Sequence, residues 1–159
     1  SLIGVAAGEE KCALARANGY AVVIDRNRED VLARVKEITG GRGVPVVFDS
    51  IGKATFDTTI ESLSPRGVFV SFGATSGPPP AVEGALLQKK GSLYFTRPTL
   101  ATYCASPEDY AASAKALLDR VARGVVKPLI GQRYALADAA QAHRDLEAGK
   151  TTGSTVLVP

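Results

Sequence analysis

The sequence has 159 residues, of which 45% are hydrophobic, and a formal net charge of +3, so it can bury one core of ordinary size. Its basic and acidic residues are interspersed without a basic block, which argues against nucleic-acid binding. No apolar run approaches the roughly 20 residues of a membrane span, and no signal peptide is visible. Two cysteines far apart in sequence, Cys12 and Cys104, and a single histidine, His143, predict a reduced, cytoplasmic protein without a zinc site.

Strand and helix patterns alternate over the first two thirds of the chain. Compact apolar runs predict strands at 1–6, 21–25, 44–50, 67–73 and 91–96. The segments between them have the length and apolar spacing of helices. The strand runs are nearly continuous rather than alternating in polarity, which is typical of a parallel sheet covered on both faces. We therefore predict an α/β protein with a doubly wound sheet.

The last third of the chain begins with a well-marked helix. Ser106 and Pro107 predict its start, and Gly124 can end it. The pattern then predicts, in chain order, a strand at 128–134, a helix at 136–148 and a strand at 154–159. The irregular stretch at 75–84, which is rich in proline and glycine, predicts an exposed loop.

The first strand leads into small residues and then into a cation. A phosphate-binding G-x-G-x-x-G turn is absent, so this is not a first Rossmann βα unit. Where a dinucleotide site reads the adenosine ribose, the uncharged Ala7 and Gly8 leave room for a 2′-phosphate, which Lys11 and Arg26 can neutralise. The two glutamates before Lys11 argue the other way, although they also suit a helix N-terminus. Taken alone, Lys11 also fits an ordinary surface lysine.

Two further segments, FDSIG at 48–52 and SFGATSG at 71–77, follow predicted strands. The carboxyl ends of parallel strands form the usual ligand crevice, and small residues there allow the backbone to approach a flat ring or a ribose. Ordinary turn chemistry is the alternative interpretation of both segments. We interpret Asp49 as a helix cap rather than a base, and His143 as a packed structural residue rather than a catalytic one.

Four long stretches carry a family resemblance. They are, in chain order, VLARVKEITGGRGVPVVFDSIGKATF, SPRGVFVSFGATSGPPP, QKKGSLYFTRPTL and YALADAAQAHRDLEAGKTTGSTVLVP. Through them the chain resembles, over essentially its whole length, the quinone oxidoreductases, a zinc-independent branch of the medium-chain dehydrogenase/reductases. The resemblance implies an NADPH-dependent, two-electron reduction of quinones or related conjugated carbonyls by hydride transfer.

The resemblance also implies which residues contact the cofactor. It places Ala7, Gly8 and Lys11 at the 2′-phosphate, and Arg26 where relatives often carry an aromatic residue against the adenine. It places further residues along the cofactor, towards the nicotinamide or at a cofactor phosphate: Ser50, Ile51, Phe72, Gly73, Ala74, Thr75, Arg97, Pro98, Thr99 and Lys150. Ala74 stands where relatives commonly have asparagine, which removes one possible hydrogen bond. No residue is assigned a catalytic role.

Chains of that family begin with a β-rich catalytic domain and a first Rossmann strand with its glycine-rich turn, and this sequence contains neither. We therefore expect a Rossmann-like, mostly parallel sheet that lacks this strand and turn. The expected division is a partial NADP-binding domain at 1–126 and a C-terminal segment at 127–159 that packs on the absent catalytic domain. The strands at 2–6 and 44–50 are expected to flank a gap, and the final strand is expected to lack its partner. The alternative is that the sheet closes differently, for example by direct pairing or by exchange between chains.

The expected partners are a quinone or conjugated carbonyl and a second copy of the chain, paired through the edge strand at 91–96. We expect the chain alone to turn over little or no substrate. Two alternatives stay open, an enoyl or alkenal reductase of the same superfamily and a non-catalytic nucleotide-binding or dimerisation module.

Overall fold

The computed structural model describes residues 1–159 and divides the chain into two compact units, Ser1–Tyr103 and Cys104–Pro159. The elements of the first unit are β1 (Ile3–Ala6), α1 (Glu9–Ala17), β2 (Val22–Asp25), α2 (Val31–Ile38), β3 (Val44–Asp49), α3 (Phe56–Ser62), β4 (Leu63–Ser71), α4 (Gly84–Lys89), β5 (Tyr94–Thr96) and α5 (Leu100–Tyr103). The elements of the second unit are α6 (Pro107–Ala122), β6 (Ile130–Ala135), a 3₁₀ turn (Leu136–Asp138), α7 (Ala139–Glu147) and β7 (Ser154–Val158). The division after residue 126 that the resemblance implies stays a prediction.

All paired strands are parallel. In the first unit β1 pairs with β2, while β3, β4 and β5 form a separate sheet in that order. Hydrogen bonds do not join β1 to β3, in agreement with the expected gap between these two strands. In the second unit β6 pairs with β7, so the expectation that the final strand lacks a partner was wrong. Their pairing satisfies backbone groups that would otherwise face solvent unpaired.

The core of the first unit lies on one face of the β3–β4–β5 sheet. Phe69 is almost fully buried at its centre, with the ring of Phe56 5.6 Å away and that of Phe95 5.2 Å away between centroids. Val47, Phe69 and Phe95 lie side by side in the strand register and share this face. Because side chains alternate along a strand, Phe48 belongs to the opposite face, where it is 71% exposed.

Side-chain caps begin two of the helices. The Asp30 carboxylate accepts a hydrogen bond from the Ala33 amide at 2.7 Å and starts α2. The Ser106 hydroxyl accepts one from the Asp109 amide at 3.0 Å, with Pro107 in the first turn of α6, as the sequence predicted. None of the helices combines the length and the apolar character that crossing a membrane requires.

The structure departs from the sequence pattern at β4 and in α7. The strand β4 begins at Leu63 rather than at residue 67, with a register irregularity opposite 44–46. Pro65 lacks an amide donor and Arg66 has a φ of 61°, so this irregular start carries no apolar-run signal. His143 is exposed rather than packed, because α7 buries its neighbour Ala142 instead.

Candidate ligand site at the strand ends

The turn after β1 and the end of β2 are held together by Asp25. Its Oδ1 accepts hydrogen bonds from the Gly8 amide at 2.9 Å and the Asn27 amide at 3.0 Å. The Arg26 amide donates to the Ala6 carbonyl at 3.0 Å, which extends the β1–β2 pairing by one step. Asp25 therefore brings together the small-residue turn and Arg26, which the sequence predicted at the adenosine end.

Asp25 is an ionised, inward-facing acid. The hydrogen bond from the Gly8 amide, followed by that from Asn27, holds the pKa of its buried carboxyl below the usual range. Its Oδ2 has no hydrogen-bond partner, and the Arg28 Nε lies 3.8 Å away. A carboxylate used in this way fixes the turn and is poorly placed to act as a base.

The cations around this turn differ in their surroundings. Lys11 is half-buried in the first turn of α1, whereas Arg26 is exposed and forms no ion pair. Glu9 pairs with Arg16 at 3.1 Å and with Arg28 at 3.7 Å. Since these arginines partly compensate Glu9, its repulsion of a bound anion is reduced.

A second cluster lies where β3 ends, around the buried Asp49. Its carboxylate accepts four hydrogen bonds, from the Ile51 amide (2.7 Å), the Gly52 amide (3.0 Å), the Thr55 hydroxyl (2.7 Å) and the Thr59 hydroxyl (2.7 Å). Burial raises the pKa of this carboxyl, but the four hydrogen bonds outweigh that effect and hold the pKa below its usual range. Asp49 therefore closes the loop before α3. Thr55, rather than Asp49, occupies the N-cap position that the sequence suggested for the acid.

The loop after β3 (50–55) and the loop after β4 (72–77) are bonded to each other. The Thr75 amide donates to the Ser50 carbonyl at 3.2 Å, and the Lys53 amide donates to the Gly77 carbonyl at 3.0 Å. Two glycines allow this approach, since a Cβ on Gly52 would lie 2.4 Å from the Gly77 oxygen and one on Gly73 2.5 Å from the Ser50 oxygen. The two loops therefore form one unit, which we call the paired loops.

Some polar groups of the paired loops have no partner within the chain. The Ser50 hydroxyl and the amides of Gly73 and Ala74 make no internal hydrogen bond. In contrast, both the amide and the carbonyl of Ile51 are used internally, which leaves its 40% exposed side chain for contact with a ligand. The free donors and the apolar side chain suit a flat ligand group with carbonyl acceptors.

An apolar cavity of about 560 Å³, shallow and largely open to solvent, lies beside the paired loops. Phe48 and Phe72 meet edge to face there, with ring centroids 6.5 Å apart. The cavity is lined by Phe48, Val70, Phe72, Thr96, Pro98, Thr99, Leu100 and Tyr103. The Arg97 guanidinium donates to the Ser71 hydroxyl at 3.2 Å and so ties the segment after β5 to the end of β4.

Comparison with known proteins identifies the family. Residues 18–157 match the sequence pattern of the zinc-binding dehydrogenases. The chain belongs to this family. It is 49% identical over 158 residues to quinone oxidoreductase from Pseudomonas aeruginosa and 38% identical over 162 residues to 2-haloacrylate reductase from a Burkholderia species. These alignments cover 99% and 100% of this chain, but 49% and 48% of the respective relatives.

A solved structure of Escherichia coli quinone oxidoreductase, complexed with NADPH, superposes on the whole chain. The TM-score is 0.95 at 40% identity, over 100% of this chain and 49% of that one. This match confirms the Rossmann-like α/β class. The chain spans about half the length of the relatives it matches, corresponding to their C-terminal half.

The family name implies zinc, yet the chain's own residues do not fit a metal centre. Side chains of His, Cys, Asp and Glu nowhere form a group of three or more that could hold an ion. Cys12 is buried and Cys104 half-buried, and both are free thiols.

In the structure of this chain, the predicted cofactor contacts fall into three groups, and one further residue lies apart from them. Ala7, Gly8, Lys11 and Arg26 lie around the turn held by Asp25; Ser50, Ile51, Phe72, Gly73, Ala74 and Thr75 lie in the paired loops; Arg97, Pro98 and Thr99 follow β5. Lys150 belongs to the second unit, where its ammonium lies 3.5 Å from Asp145. Sequence reasoning missed Asp25 and Ser76, whose partners lie 17 to 25 residues away in sequence.

Proposed function

We propose that the chain is the cofactor-binding part of an NADPH-dependent quinone oxidoreductase. The observation that carries this proposal is the combination of free donors on the paired loops with an apolar cavity beside them, in a chain 40% identical to a quinone oxidoreductase complexed with NADPH. When bound, NADPH supplies a hydride and two electrons to an acceptor. The chain's own residues bind and orient, and none of them carries a covalent step.

The adenosine end of the cofactor is assigned to the turn held by Asp25. Lys11 and Arg26 supply positive charge for a 2′-phosphate, and the absence of an acid at Ala7 and Gly8 avoids repulsion. Arg26 has no ion pair to break, so its guanidinium is available to the phosphate or to the face of the adenine. Lys150 is assigned to a cofactor phosphate on the resemblance alone.

The nicotinamide end is assigned to the paired loops. The amides of Gly73 and Ala74 and the hydroxyl of Ser50 can bond a carboxamide or ribose, and Ile51 offers apolar contact. A quinone, being flat and largely apolar, fits the cavity that contains Phe48 and Phe72. The cavity and the free donors adjoin at Phe72. This arrangement suits hydride transfer from a nicotinamide ring to a neighbouring quinone ring without zinc.

Calorimetric titration tests the cofactor assignment. We expect the chain to bind NADPH with micromolar affinity and NADH at least about tenfold more weakly, since a partly exposed phosphate–cation contact contributes about 1.5 kcal/mol or more. Lys11→Ala is expected to reduce this preference, while Lys127→Ala, far along the sequence in the second unit, leaves it unchanged. Equal affinity for NADPH and NADH would contradict the assignment of the 2′-phosphate site. If the chain binds neither dinucleotide, the cofactor-binding function is excluded and a purely structural module is the remaining interpretation.

Catalysis needs more of the protein than this chain provides. The chain spans about half of its relatives and holds no pyrophosphate-binding glycine turn. We expect quinone-dependent oxidation of NADPH to be near the buffer background with the purified chain. Robust turnover in the absorbance assay at 340 nm (the NADPH band) would overturn this expectation.

The similarity to 2-haloacrylate reductase favours a second candidate function, the reduction of an activated carbon–carbon double bond. This chain aligns with both reductases over nearly its whole length, and the apolar lining of the cavity suits an enone as well as a quinone. A panel of quinones, alkenals and 2-haloacrylates, tested on a longer protein that contains this chain, separates the two reductases by their relative kcat/KM values.

The proposal includes a cytoplasmic homodimer. Two free cysteines suit a reducing compartment, and β5 has β4 as its single neighbour, so its other edge is open to a second copy. Analytical ultracentrifugation tests the dimer. Tyr94→Lys, which places a charge at an exposed position of this edge strand without touching the core, should shift the population to monomer, and a monomeric parent chain contradicts the assignment.

A further inference from the structure

Ser76 bridges the paired loops with its side chain as well as with its backbone. Its hydroxyl donates to the Ile51 carbonyl at 2.7 Å and accepts from the Ala54 amide at 2.9 Å. Its amide donates to the same Ile51 carbonyl at 2.9 Å. One residue of the second loop thus makes three hydrogen bonds to two residues of the first.

Together with a hydrogen bond to Asp49, these bonds fix the two peptide groups that flank Ile51. The Ile51 amide is fixed from inside by Asp49 at 2.7 Å, and its carbonyl is fixed from outside by Ser76. Because the Ile51 amide and the Ile51 carbonyl are both fixed, the backbone that carries the Ile51 side chain and the adjoining Ser50 hydroxyl is held in one conformation. Asp49 is buried and Ser76 is exposed. The hydrogen bonds of Ser76 are therefore easier to remove without damage to the core than those of Asp49.

We propose that Ser76 is a positioning residue of the nicotinamide-binding part of the site. The proposal rests on the proposed NADPH function. Ser76 acts through Ile51 and Ser50, and it also sets the distance between the first loop and the free amides of Gly73 and Ala74. Binding of the adenosine end, around Asp25 and Lys11, does not depend on these bonds.

Two ligands separate positioning from general damage. NADPH contacts both ends of the proposed site, whereas adenosine 2′,5′-bisphosphate contains only the adenosine end. In calorimetry on the whole chain, we expect Ser76→Ala to raise the Kd for NADPH about tenfold, since it removes two hydrogen bonds, and to leave the Kd for the bisphosphate unchanged. Ser76→Thr keeps a hydroxyl and should restore NADPH binding.

Ser62→Ala is the matched control. Ser62 is a buried serine whose hydroxyl bonds the Thr58 carbonyl within α3, outside the paired loops, so its replacement should leave both Kd values unchanged. Amide hydrogen exchange adds a reading without ligand. The Ala54 amide should exchange faster in Ser76→Ala than in the parent chain or in Ser76→Thr, because it loses its acceptor.

Each contrary outcome has a distinct meaning. Equal NADPH affinity of the parent chain and Ser76→Ala overturns the role of Ser76 and leaves the proposed function standing. Equal weakening of NADPH and of the bisphosphate, or failure of Ser76→Thr to restore binding, shows general damage and also overturns it. If the parent chain binds the bisphosphate but not NADPH, or neither ligand, the nicotinamide site itself fails and both proposals fall together.

Discussion

At the scale of single residues, the Asp49 carboxylate accepts more hydrogen bonds than any other side chain of the site. It accepts from two amides and two hydroxyls, and of these four donors only the Thr55 hydroxyl has a second acceptor, the Gly52 carbonyl at 3.3 Å. We expect Asp49→Ala to lower the free energy of unfolding by roughly 3 kcal/mol. Asp49→Asn keeps one acceptor oxygen and an amide that can bond the hydroxyls, so its loss should be smaller. Urea unfolding followed by circular dichroism measures both, and equal losses would contradict the expected order.

The same carboxylate gives the stability a definite pH dependence. Burial raises the pKa of Asp49, but its hydrogen bonds prevail and hold the folded pKa below the value in the unfolded chain. Its contribution is therefore complete above the unfolded pKa of about 4 and is lost as the pH falls through the lower folded pKa. Between about pH 5 and pH 2, the free energy of unfolding should fall more steeply in the parent chain than in Asp49→Asn. Parallel curves for the two proteins would disprove this role.

At the scale of elements, the paired loops depend on backbone approach as much as on side chains. A Cβ at position 73 would meet the Ser50 carbonyl at 2.5 Å, and a backbone oxygen cannot move aside as a flexible side chain can. Gly73→Ala should lower the free energy of unfolding by about 1–3 kcal/mol and weaken NADPH binding, because the loops must separate. Gly84→Ala is the control, since nothing lies within 4 Å of its added carbon at the start of α4. If the two variants are equally stable, the steric explanation fails.

The start of α6 in the second unit depends on a single capping side chain. The Ser106 hydroxyl accepts from the Asp109 amide, and its loss leaves that amide unpaired within the chain. Ser106→Ala should cost about 1 kcal/mol of helix stability and speed amide exchange in the first turn. Ser113→Ala, at an exposed position within the same helix, should be neutral or slightly stabilising, because alanine has the higher helix propensity. Identical exchange in both variants contradicts a capping role.

The elements that sequence reasoning recovered are those with local signals. The apolar run at 21–25 became β2, and the Ser106–Pro107 start of α6 was confirmed, because strand runs and caps are written in adjacent residues. The pairing of β7 with β6 carries no such signal, since any two parallel edges can satisfy each other. The early start of β4 was not predicted for the same reason, because it is fixed by the register of β4 with β3.

For the candidate site, sequence alone supplied strand ends and small residues but not the groups that hold them. Asp25 reaches Gly8 across 17 residues, and Ser76 reaches Ile51 across 25. Such hydrogen bonds depend on which strands are neighbours, and a periodicity of apolar residues does not encode that order. His143 shows the converse error, because an apolar helix face predicts burial only when another element covers it.

At the scale of the whole molecule, ligand binding should raise the free energy of unfolding. A ligand that binds only the folded chain adds about 2.7 kcal/mol at one hundred times its Kd, so NADPH should raise the unfolding midpoint by several degrees in a concentration-dependent way. We expect the part of this shift that exceeds the NADH shift to come from contacts of the 2′-phosphate with Lys11 and Arg26, and charge pairs at partly exposed sites are screened by salt. We therefore expect the NADPH and NADH shifts, measured by scanning calorimetry, to converge as salt rises from about 0.05 M to about 0.5 M. A difference that persists unchanged at high salt would place the preference for NADPH in shape rather than in charge.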